Sequence, residues 1–511
     1  MSQSGPTPPN ADALLSSILA LTRGISLNLT PEALIVKDSR AAKRHRTKLC
    51  GFGVIGSTPS EIVIPYYNIL WASADPQRGL IIDYAHEVSK TKLRPLRLRY
   101  PLGEVAPAIA ETWARTALQR AYGAVELVER GQRAKVIINP HAGPGKGLLM
   151  WQADVHPLFL AAKWELEVII TGAGGQAMEI VRTMDIDNFD VVIVCSGDGL
   201  AYEVFNGLGK RPDARAALRK IAVAHIPSGS GNAMSLNLNG SPYGSHAALA
   251  VIKGQRTPMD LMSLTYGSER ILSFLSQSVG IIAECDLGTE SMRWMGATRF
   301  DVGVVQRIFT KRVYPCDVAY KVELDDKNQI KSHYKRHQNG EAESPEPELV
   351  SAAEENVGEN VGEGLPPLRF GTVNDELPED WEKHSYDKMG SFYCGNMAWM
   401  APDANFFPAA LINDGMMDVA VNDGDLPATK YASLMMSVSG AKFFDNPALA
   451  YRKVAAYRFT PRDQADGYIS IDGERIPFGP FQVEVHPGLG TVMSKNGRYE
   501  AFGPPGWEQA K

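Results

Sequence analysis

The chain has 511 residues, a formal net charge of −6, 44% hydrophobic residues and 22% charged residues. This is an ordinary globular composition with enough apolar material for a large core, and the length predicts about two to four domains. The mildly acidic balance argues against a dedicated nucleic-acid binder, which would carry a strong basic excess. No uninterrupted apolar run reaches about 18 residues, so the sequence predicts no membrane-spanning helix.

The cysteines and the N-terminus indicate a compartment. The five cysteines are odd in number, far apart and never spaced CxxC, which favours neither a disulfide framework nor a zinc site. The first residues, MSQSGPTPPN, have neither the basic start nor the apolar core of a signal peptide. We therefore expect a cytoplasmic protein in a reducing environment.

The N-terminal quarter is predicted as a tail followed by a β-rich module. Residues 1–23 are expected to be a disordered or helical tail, since they begin polar and Pro-rich. Residues 24–130 hold strand-like stretches separated by turn signals, and end in a helix beginning near Pro107. The basic run at residues 37–48 is either a solvated hairpin tip or a contact for anionic lipid, where each basic residue adds roughly 1 kcal/mol. Charge runs are usually solvated, so a membrane-directed module is the alternative.

The next segment, residues 131–258, changes to short apolar strands that alternate with helical patterns. Continuous apolar strands in this arrangement are typical of a parallel sheet covered on both faces. The predicted strands are residues 134–138, 164–170, 189–195 and 221–226.

The remainder is predicted as a second, mainly antiparallel domain with an insert. Residues 259–324 and 385–511 form the domain, because their strand-like pieces are joined by turn signals. Residues 325–384 are predicted to be a disordered acidic insert. Its central part, residues 341–364, has eight Glu, no Lys or Arg and few large apolar residues, so burial would not offset the entropy of ordering it.

Three glycine-rich turns each follow a predicted buried strand: NPHAGPGKG at 139–147, SGDG at 196–199 and PSGSGN at 227–232. Ligands of open parallel sheets bind at the carboxyl ends of the strands, and glycine lets the backbone approach a phosphate closely. A single loop of this kind is structural about as often as functional, but three at one sheet edge indicate a phosphate site. The spacing fits neither a P-loop, because Lys146 is followed by Gly147, nor a GxGxxG dinucleotide fingerprint.

Asp198 stands out because it lies between two glycines, directly after VVIVC. A carboxylate at a strand end beside a helix start stays ionised and can accept a proton, although Asp is also a common helix cap. Glu203 lies in the helix that follows, where it either acts with Asp198 or is a solvated surface residue.

Six blocks of the sequence carry a family resemblance, in order from about residue 134 to 478. VIINPHAGPGKG, VVIVCSGDGLAYEVFNGL and HIPSGSGNAMSLNL resemble the blocks of the diacylglycerol-kinase catalytic domain superfamily. GIIAECDLGTESMRWMGATRF, FYCGNMAWMAPDANFFPAALINDGMMD and YISIDGERIP are similar to its sphingosine (sphingoid long-chain base) kinase branch. The resemblance implies a Rossmann-like α/β nucleotide-binding domain with a parallel sheet, followed by an antiparallel β-sandwich lipid-binding domain, with ATP in the cleft.

The same resemblance implies roles for individual residues. Asp198 would be the catalytic proton acceptor, Asp286 would bind the polar head of the sphingoid base, and Asp472 would be the candidate ligand of Mg²⁺. The implied nucleotide-binding residues are Asn139, Pro140, His141, Gly143, Gly145, Lys146, Thr171, Ser196, Gly197, Gly199, Glu203, Gly229, Ser230, Gly231, Arg293, Arg299, Asp472, Gly473 and Glu474.

Together these features predict an ATP- and Mg²⁺-dependent lipid kinase that phosphorylates the primary hydroxyl of a sphingoid base. The expected partners are this lipid and a membrane surface to which the cytoplasmic protein attaches peripherally. A diacylglycerol or ceramide kinase is the nearest alternative, but Asp286 suits a cationic amine that neither of those lipids carries. An NAD kinase fits the long apolar-rich second domain poorly. A catalytically inactive lipid-binding adaptor is disfavoured by the intact Asp198 and glycine loops.

Overall fold

The computed structural model describes residues 17–22, 24–39, 61–123, 131–143, 145–288, 312–340, 364–440 and 442–501, together with residues 503 and 507. The predicted tail up to residue 16, the basic run from residue 40 onward and the acidic stretch 341–363 lie outside these residues, as do Arg293 and Arg299. The chain divides into two compact units, one of residues 1–132 and 153–165 and one of residues 133–152 and 166–511.

The secondary structure is mixed. The strands are β1 Ile18–Thr22, β2 Ile25–Leu29, β3 Ala33–Asp38, β4 Glu61–Pro65, β5 Ile69–Asp75, β6 Gly79–Ser89, β7 Lys92–Tyr100, β8 Arg133–Ile138, β9 Glu165–Ile170, β10 Val191–Ser196, β11 Ala222–Pro227, β12 Gln255–Tyr266, β13 Glu269–Ser273, β14 Ser276–Gly280, β15 Cys316–Leu324, β16 Glu382–Tyr386, β17 Met389–Gly395, β18 Trp399–Ala401, β19 Ala404–Asn405, β20 Met417–Asp423, β21 Ala450–Pro461, β22 Ile469–Ile471, β23 Glu474–Ile476 and β24 Phe481–Ser494. The α-helices are α1 Pro107–Tyr122, α2 Gly147–Met150, α3 His156–Ala161, α4 Gln176–Thr183, α5 Asp198–Gly209, α6 Ala214–Lys220, α7 Ala233–Asn239, α8 Gly244–Lys253, α9 Ile281–Gly288, α10 Lys327–Gln338 and α11 Ala428–Ser439.

The first unit is a β-rich module whose core is shared by two antiparallel sheets and a helix. Strands β1 to β4 form one sheet and β5 to β7 the other, each in sequence order. Alternate residues of β2 are buried, as expected where one face of a sheet covers a core. Helix α1 starts at Pro107, as predicted, and buries Trp113 and Ala117 in the same core. The module begins earlier than predicted, because Leu19 in β1 pairs with Leu27 in β2.

The parallel part of the second unit follows the prediction closely. Strands β8, β10 and β11 are neighbours in parallel register, and β9 lies at the outer edge beside β8. All six residues of β10 and of β11 are buried, which explains why they read as continuous apolar runs. Their carboxyl ends place the three glycine-rich turns at one edge of the sheet.

The antiparallel part is joined to the parallel part in one mixed sheet of 15 strands. The joint is β24, which pairs antiparallel with β12 and β21 and parallel with β11, where Val492 faces Val223. The predicted domain boundary at residue 258 falls inside β12. One hydrogen-bonded sheet therefore crosses the predicted boundary.

Both flanks of the predicted disordered insert contain regular secondary structure. Asp326 accepts hydrogen bonds from the N–H groups of Asn328 and Gln329, both at 2.9 Å, and so caps helix α10. Ile330 and Tyr334, four residues apart on that helix, are buried. Strand β16 then pairs with β15. Disorder is thus the wrong prediction for both flanks of residues 341–363. No helix within the described part of the chain is long and apolar enough to cross a bilayer.

Candidate active site

A cavity of about 810 Å³ lies in the second unit, where the three glycine-rich turns meet the antiparallel strands. It brings together most of the residues that the sequence singled out. These are Asn139, His141, Gly143, Ser196, Gly197, Asp198, Gly199, Glu203, Gly229, Ser230, Gly231, Asp286, Asp472, Gly473 and Glu474.

Four predicted nucleotide residues do not line this cavity: Pro140, Gly145, Lys146 and Thr171. Thr171 is buried and donates its hydroxyl hydrogen bond to the carbonyl of Ile138 at 3.2 Å, so it joins β9 to β8. Arg293 and Arg299 lie outside the described residues, and their predicted roles stay predictions.

The glycines of the turns are needed for contact between the turns themselves. A Cβ at Gly229 would lie 2.4 Å from the Cα of Gly197. A Cβ at Gly143, whose φ is +53°, would lie 2.5 Å from the carbonyl oxygen of Ser228. Any side chain would push the turns apart, so glycine sets the backbone geometry of this edge before any ligand is considered. Asn232 fixes the third turn, since its Oδ1 accepts from the N–H of Gly229 at 2.8 Å.

Asp198 is the first residue of α5 and is half-buried. Its Oδ2 accepts from the N–H of Ala233 at 3.0 Å and its Oδ1 from the N–H of Met234 at 2.9 Å. These N–H groups belong to the first turn of α7, so Asp198 is also the cap of a second helix. The two bonds fix the orientation of the carboxylate, and each oxygen keeps a further lone pair for a ligand. The catalytic and capping interpretations are compatible.

Glu203 also joins two elements. Its Oε2 accepts from the N–H of Ala177 at 3.0 Å, in the first turn of α4. It therefore holds the segment after β9 against α5, while part of its side chain lines the cavity.

Asp286, in α9, lines the same cavity and is half-buried. Its Oδ2 accepts from the hydroxyl of Ser470 at 2.7 Å. The approach of α9 to the sheet depends on Gly280, whose φ is +83°, because a Cβ there would lie 2.4 Å from the carbonyl oxygen of Gly390. A carboxylate in this position is suited to a cationic group.

Asp472 is buried, and both of its oxygens are engaged. Oδ1 accepts from the hydroxyl of Ser273 at 2.7 Å and from the N–H groups of Leu275 at 3.0 Å and Ser276 at 2.9 Å. Oδ2 accepts from the N–H of Phe274 at 2.9 Å. Burial raises the pKa of this carboxyl to about 6, although the hydrogen bonds oppose the rise. Asp472 braces the segment between β13 and β14, so the structure disfavours it as a metal ligand.

Glu474 is the better carboxylate for a metal. It is exposed at the cavity, and its Oε1 lies 3.5 Å from the position of a Cβ on Gly199. Among the described residues no group of three or more His, Cys, Asp or Glu is arranged to hold a metal ion. Mg²⁺ in phosphoryl-transfer sites usually takes only about one or two carboxylates and completes its shell with water and phosphate oxygens. Asp198 and Glu474 supply donors of that type and number.

The sequence analysis did not single out Tyr393, which lies in β17 and lines the cavity. Burial raises the pKa of its hydroxyl, and the carboxylates of Asp286, Asp472 and Asp198 raise it further, while the hydroxyl of Ser276 lowers it. One hydroxyl is therefore within electrostatic reach of all three carboxylates. No local motif marks this tyrosine, since it reads as an ordinary strand residue.

Most of the remaining lining residues are apolar and lie mainly on α9, α11 and the segment around β18 and β19. Met436 in α11 is 78% exposed, which places an unshielded apolar side chain at the rim. The apolar lining residues include Leu275, Ile282, Leu287, Met400, Phe406, Met435, Met436 and Val438.

Comparison with known proteins places this geometry in a family. Residues 133–264 match the diacylglycerol kinase catalytic domain, and residues 17–123 match a domain of unknown function (DUF7493). Sphingoid long chain base kinase 4 of Schizosaccharomyces pombe is 32% identical over 437 residues, which cover 85% of this chain and 88% of that protein. The chain belongs to the sphingoid long-chain base kinase family. The resemblance seen in the sequence blocks is thereby confirmed, and so is a lipid kinase as the class of enzyme.

The chain is also similar to a second kinase and to one solved structure. Sphingoid long chain base kinase 5 of Saccharomyces cerevisiae is 34% identical over 427 residues, covering 75% of this chain and 61% of that protein. The chain thus spans less than two thirds of the length of that relative. The crystal structure of a diacylglycerol kinase from Bacillus anthracis str. Sterne superposes with a TM-score of 0.44 at 16% identity, covering 71% of this chain and 97% of the other.

Proposed function

We propose that this kinase transfers the γ-phosphoryl group of ATP to the primary hydroxyl of a sphingoid long-chain base and forms the 1-phosphate. One observation carries the proposal: Asp198 and Asp286 line a single cavity whose lining also includes the glycine turns and a group of apolar side chains. The glycine turns match a phosphate donor. Asp198 and Asp286 match an alcohol with a cationic neighbour, and the apolar side chains match a hydrocarbon tail.

The glycine turns would bind the triphosphate through backbone N–H groups and the start of α5. Among the described lining residues, His141 is the one side chain that can carry positive charge. Phosphoryl transfer requires more neutralisation than this, because negative charge spreads over the equatorial oxygens. We therefore retain Arg293 and Arg299 as proposed phosphate ligands. Mg²⁺, held by Asp198 and Glu474, would supply the remaining charge.

Asp198 would act as the base. Its carboxylate, fixed by two N–H groups, would accept the proton of the primary hydroxyl while that oxygen bonds to the γ-phosphorus and ADP leaves. Orientation of the reacting oxygen contributes as much as proton transfer, because phosphoryl transfer depends mainly on positioning.

Asp286 would select the class of lipid. A sphingoid base carries an ammonium group beside its primary alcohol, whereas diacylglycerol and ceramide are neutral there. Leaving a half-buried carboxylate without a cationic partner costs about 1–3 kcal/mol, so a neutral lipid would bind less tightly. The diacylglycerol or ceramide kinase interpretation is disfavoured for this reason.

Peripheral membrane association is also part of the proposal, and the β6–β7 hairpin of the first unit supports it. Val88 and Leu96 are 56% and 42% exposed, and Lys90 and Arg94 are exposed beside them. Neither cation has a carboxylate within 4.0 Å among the described residues. Exposed apolar and cationic side chains on one hairpin suit an anionic lipid surface.

The test is a substrate panel with radiolabelled ATP. Sphingosine, dihydrosphingosine and phytosphingosine should be phosphorylated, and ceramide and diacylglycerol should not. Comparable kcat/KM for a neutral lipid would support the alternative kinase. Binding to liposomes without any turnover would support the adaptor.

A further inference from the structure

Three hydroxyl groups form a row across the sheet at the end of the cavity that holds Asp286. Ser278 in β14 lies directly opposite Ser470 in β22 on one side and Tyr393 in β17 on the other. Residues paired in this way project from the same face of a sheet, with Cβ atoms about 4.5–5.5 Å apart. The row therefore runs Ser470, Ser278, Tyr393 on the face that carries the cavity-lining side chains of β14.

The three hydroxyls differ in what they already contact. Ser470 donates to Asp286 at 2.7 Å. Tyr393 lies next to the hydroxyl of Ser276. Ser278 lines the cavity and is only 3% exposed, and its hydroxyl has no hydrogen-bond partner within the described ranges. Its oxygen opens into the cavity, so the hydroxyl of a ligand can bond to it there.

The proposed function sets the order in which a substrate meets these groups. The primary hydroxyl lies at Asp198 and the ammonium group at Asp286. The second hydroxyl of the base is on the carbon next to the one that carries the amine. It is close enough to the ammonium group for the Asp286 carboxylate to accept hydrogen bonds from both. The next polar group along the row beyond Ser470 is Ser278. Ser278 would face the next carbon of the lipid, carbon 4. That carbon carries a hydroxyl in 4-hydroxylated sphingoid bases and none in dihydrosphingosine.

We propose that Ser278, with Tyr393 beside it, forms a subsite for the 4-hydroxyl group of the sphingoid base and makes this kinase prefer 4-hydroxylated bases. The inference rests on the proposed function and goes beyond it, since Asp286 alone selects any amine. A site built to bond a hydroxyl discriminates strongly against the analogue that lacks it, because its own polar groups are then left unpaired.

The experiment compares kcat/KM for phytosphingosine and dihydrosphingosine, two saturated bases that differ by the 4-hydroxyl. Wild type should favour phytosphingosine by about tenfold, equivalent to about 1.4 kcal/mol. In Ser278→Ala this ratio should fall toward one, and in Ser278→Thr, which keeps a hydroxyl, it should persist. Ser391→Ala removes an equally buried strand serine that does not line the cavity, and should keep the wild-type ratio.

Several results would overturn the subsite. An unchanged ratio in Ser278→Ala would do so, as would an equal loss for both bases or the absence of any preference in wild type. Failure of the proposed function would look different, because wild type would then phosphorylate neither base. A thermal unfolding curve for each variant separates loss of the subsite from loss of the fold.

Discussion

The two ends of the cavity hold their polar groups in different ways. At the glycine turns the ligand-binding groups are backbone N–H groups, and the contact between turns requires glycine at Gly143 and Gly229. At the other end they are side-chain hydroxyls and carboxylates contributed by β14, β17, β22 and α9. In the proposed function the first end binds a phosphate chain, which is a ligand of fixed chemistry. The second is built for discrimination, because single side chains can be changed there without moving the backbone.

The largest expected effect is at the first end. Asp198→Asn should lower kcat by about 10³-fold for every lipid acceptor, because the general base is lost. The variant keeps one acceptor oxygen for the first turn of α7 but turns an NH₂ group toward the other N–H, so it should lose only about 1 kcal/mol of stability. Asp403→Asn is the matched control, since Asp403 is an exposed carboxylate on the same cavity without such bonds. A similar loss in both variants would mean that Asp198 acts only through general electrostatics.

Asp472 is expected to affect stability rather than chemistry. Its carboxyl has a pKa of about 6 in the folded protein and an ordinary value of 3.8. The folded state therefore binds this proton more tightly than the unfolded state, so the contribution to stability is greatest below pH 4 and falls as the pH rises to about 6. The full change is about 3 kcal/mol.

This effect is measurable as a difference between two proteins. The free energy of unfolding of wild type, minus that of Asp472→Asn, should decrease between pH 4 and pH 6.5 and then stay constant. Other titrating groups cancel in this difference. A difference that rises with pH would show that the four hydrogen bonds outweigh burial.

Asp286→Asn should have a smaller and selective effect. The amide still accepts from Ser470 but no longer pairs with an ammonium group, so kcat/KM for sphingoid bases should fall about 30-fold, equivalent to about 2 kcal/mol. Residual phosphorylation of neutral lipids should not fall. An equal loss of kcat/KM for ceramide would contradict the assignment of Asp286 as the group that selects an amine. The second end would then not discriminate between lipids through this residue.

The contrast also explains what the sequence could predict. Strands β8, β10 and β11 and the turns after them are local features, so buried apolar runs followed by glycine identified them. The roles of Asp472, Ser278 and Tyr393 depend on pairing between strands far apart in the chain, and the pattern of one strand does not tell which distant strand pairs with it. The helix at α10 was missed because the acidic composition of the neighbouring residues was extended over it, although Asp326, Ile330 and Tyr334 carried a recognisable capping and burial pattern.

The position of β24 has a consequence for how the chain can be divided. Val492 and Tyr499, close to the C-terminal end of the described residues, are buried in the same core as Val223 and Leu238 of the nucleotide half. The segment from β24 to Tyr499 is thus needed to complete the part that begins at residue 133. A fragment ending near residue 258 would expose this core and aggregate, so excising a minimal catalytic piece by truncation should fail. During synthesis on the ribosome, β24 must emerge before the sheet edge that carries the glycine turns can be completed.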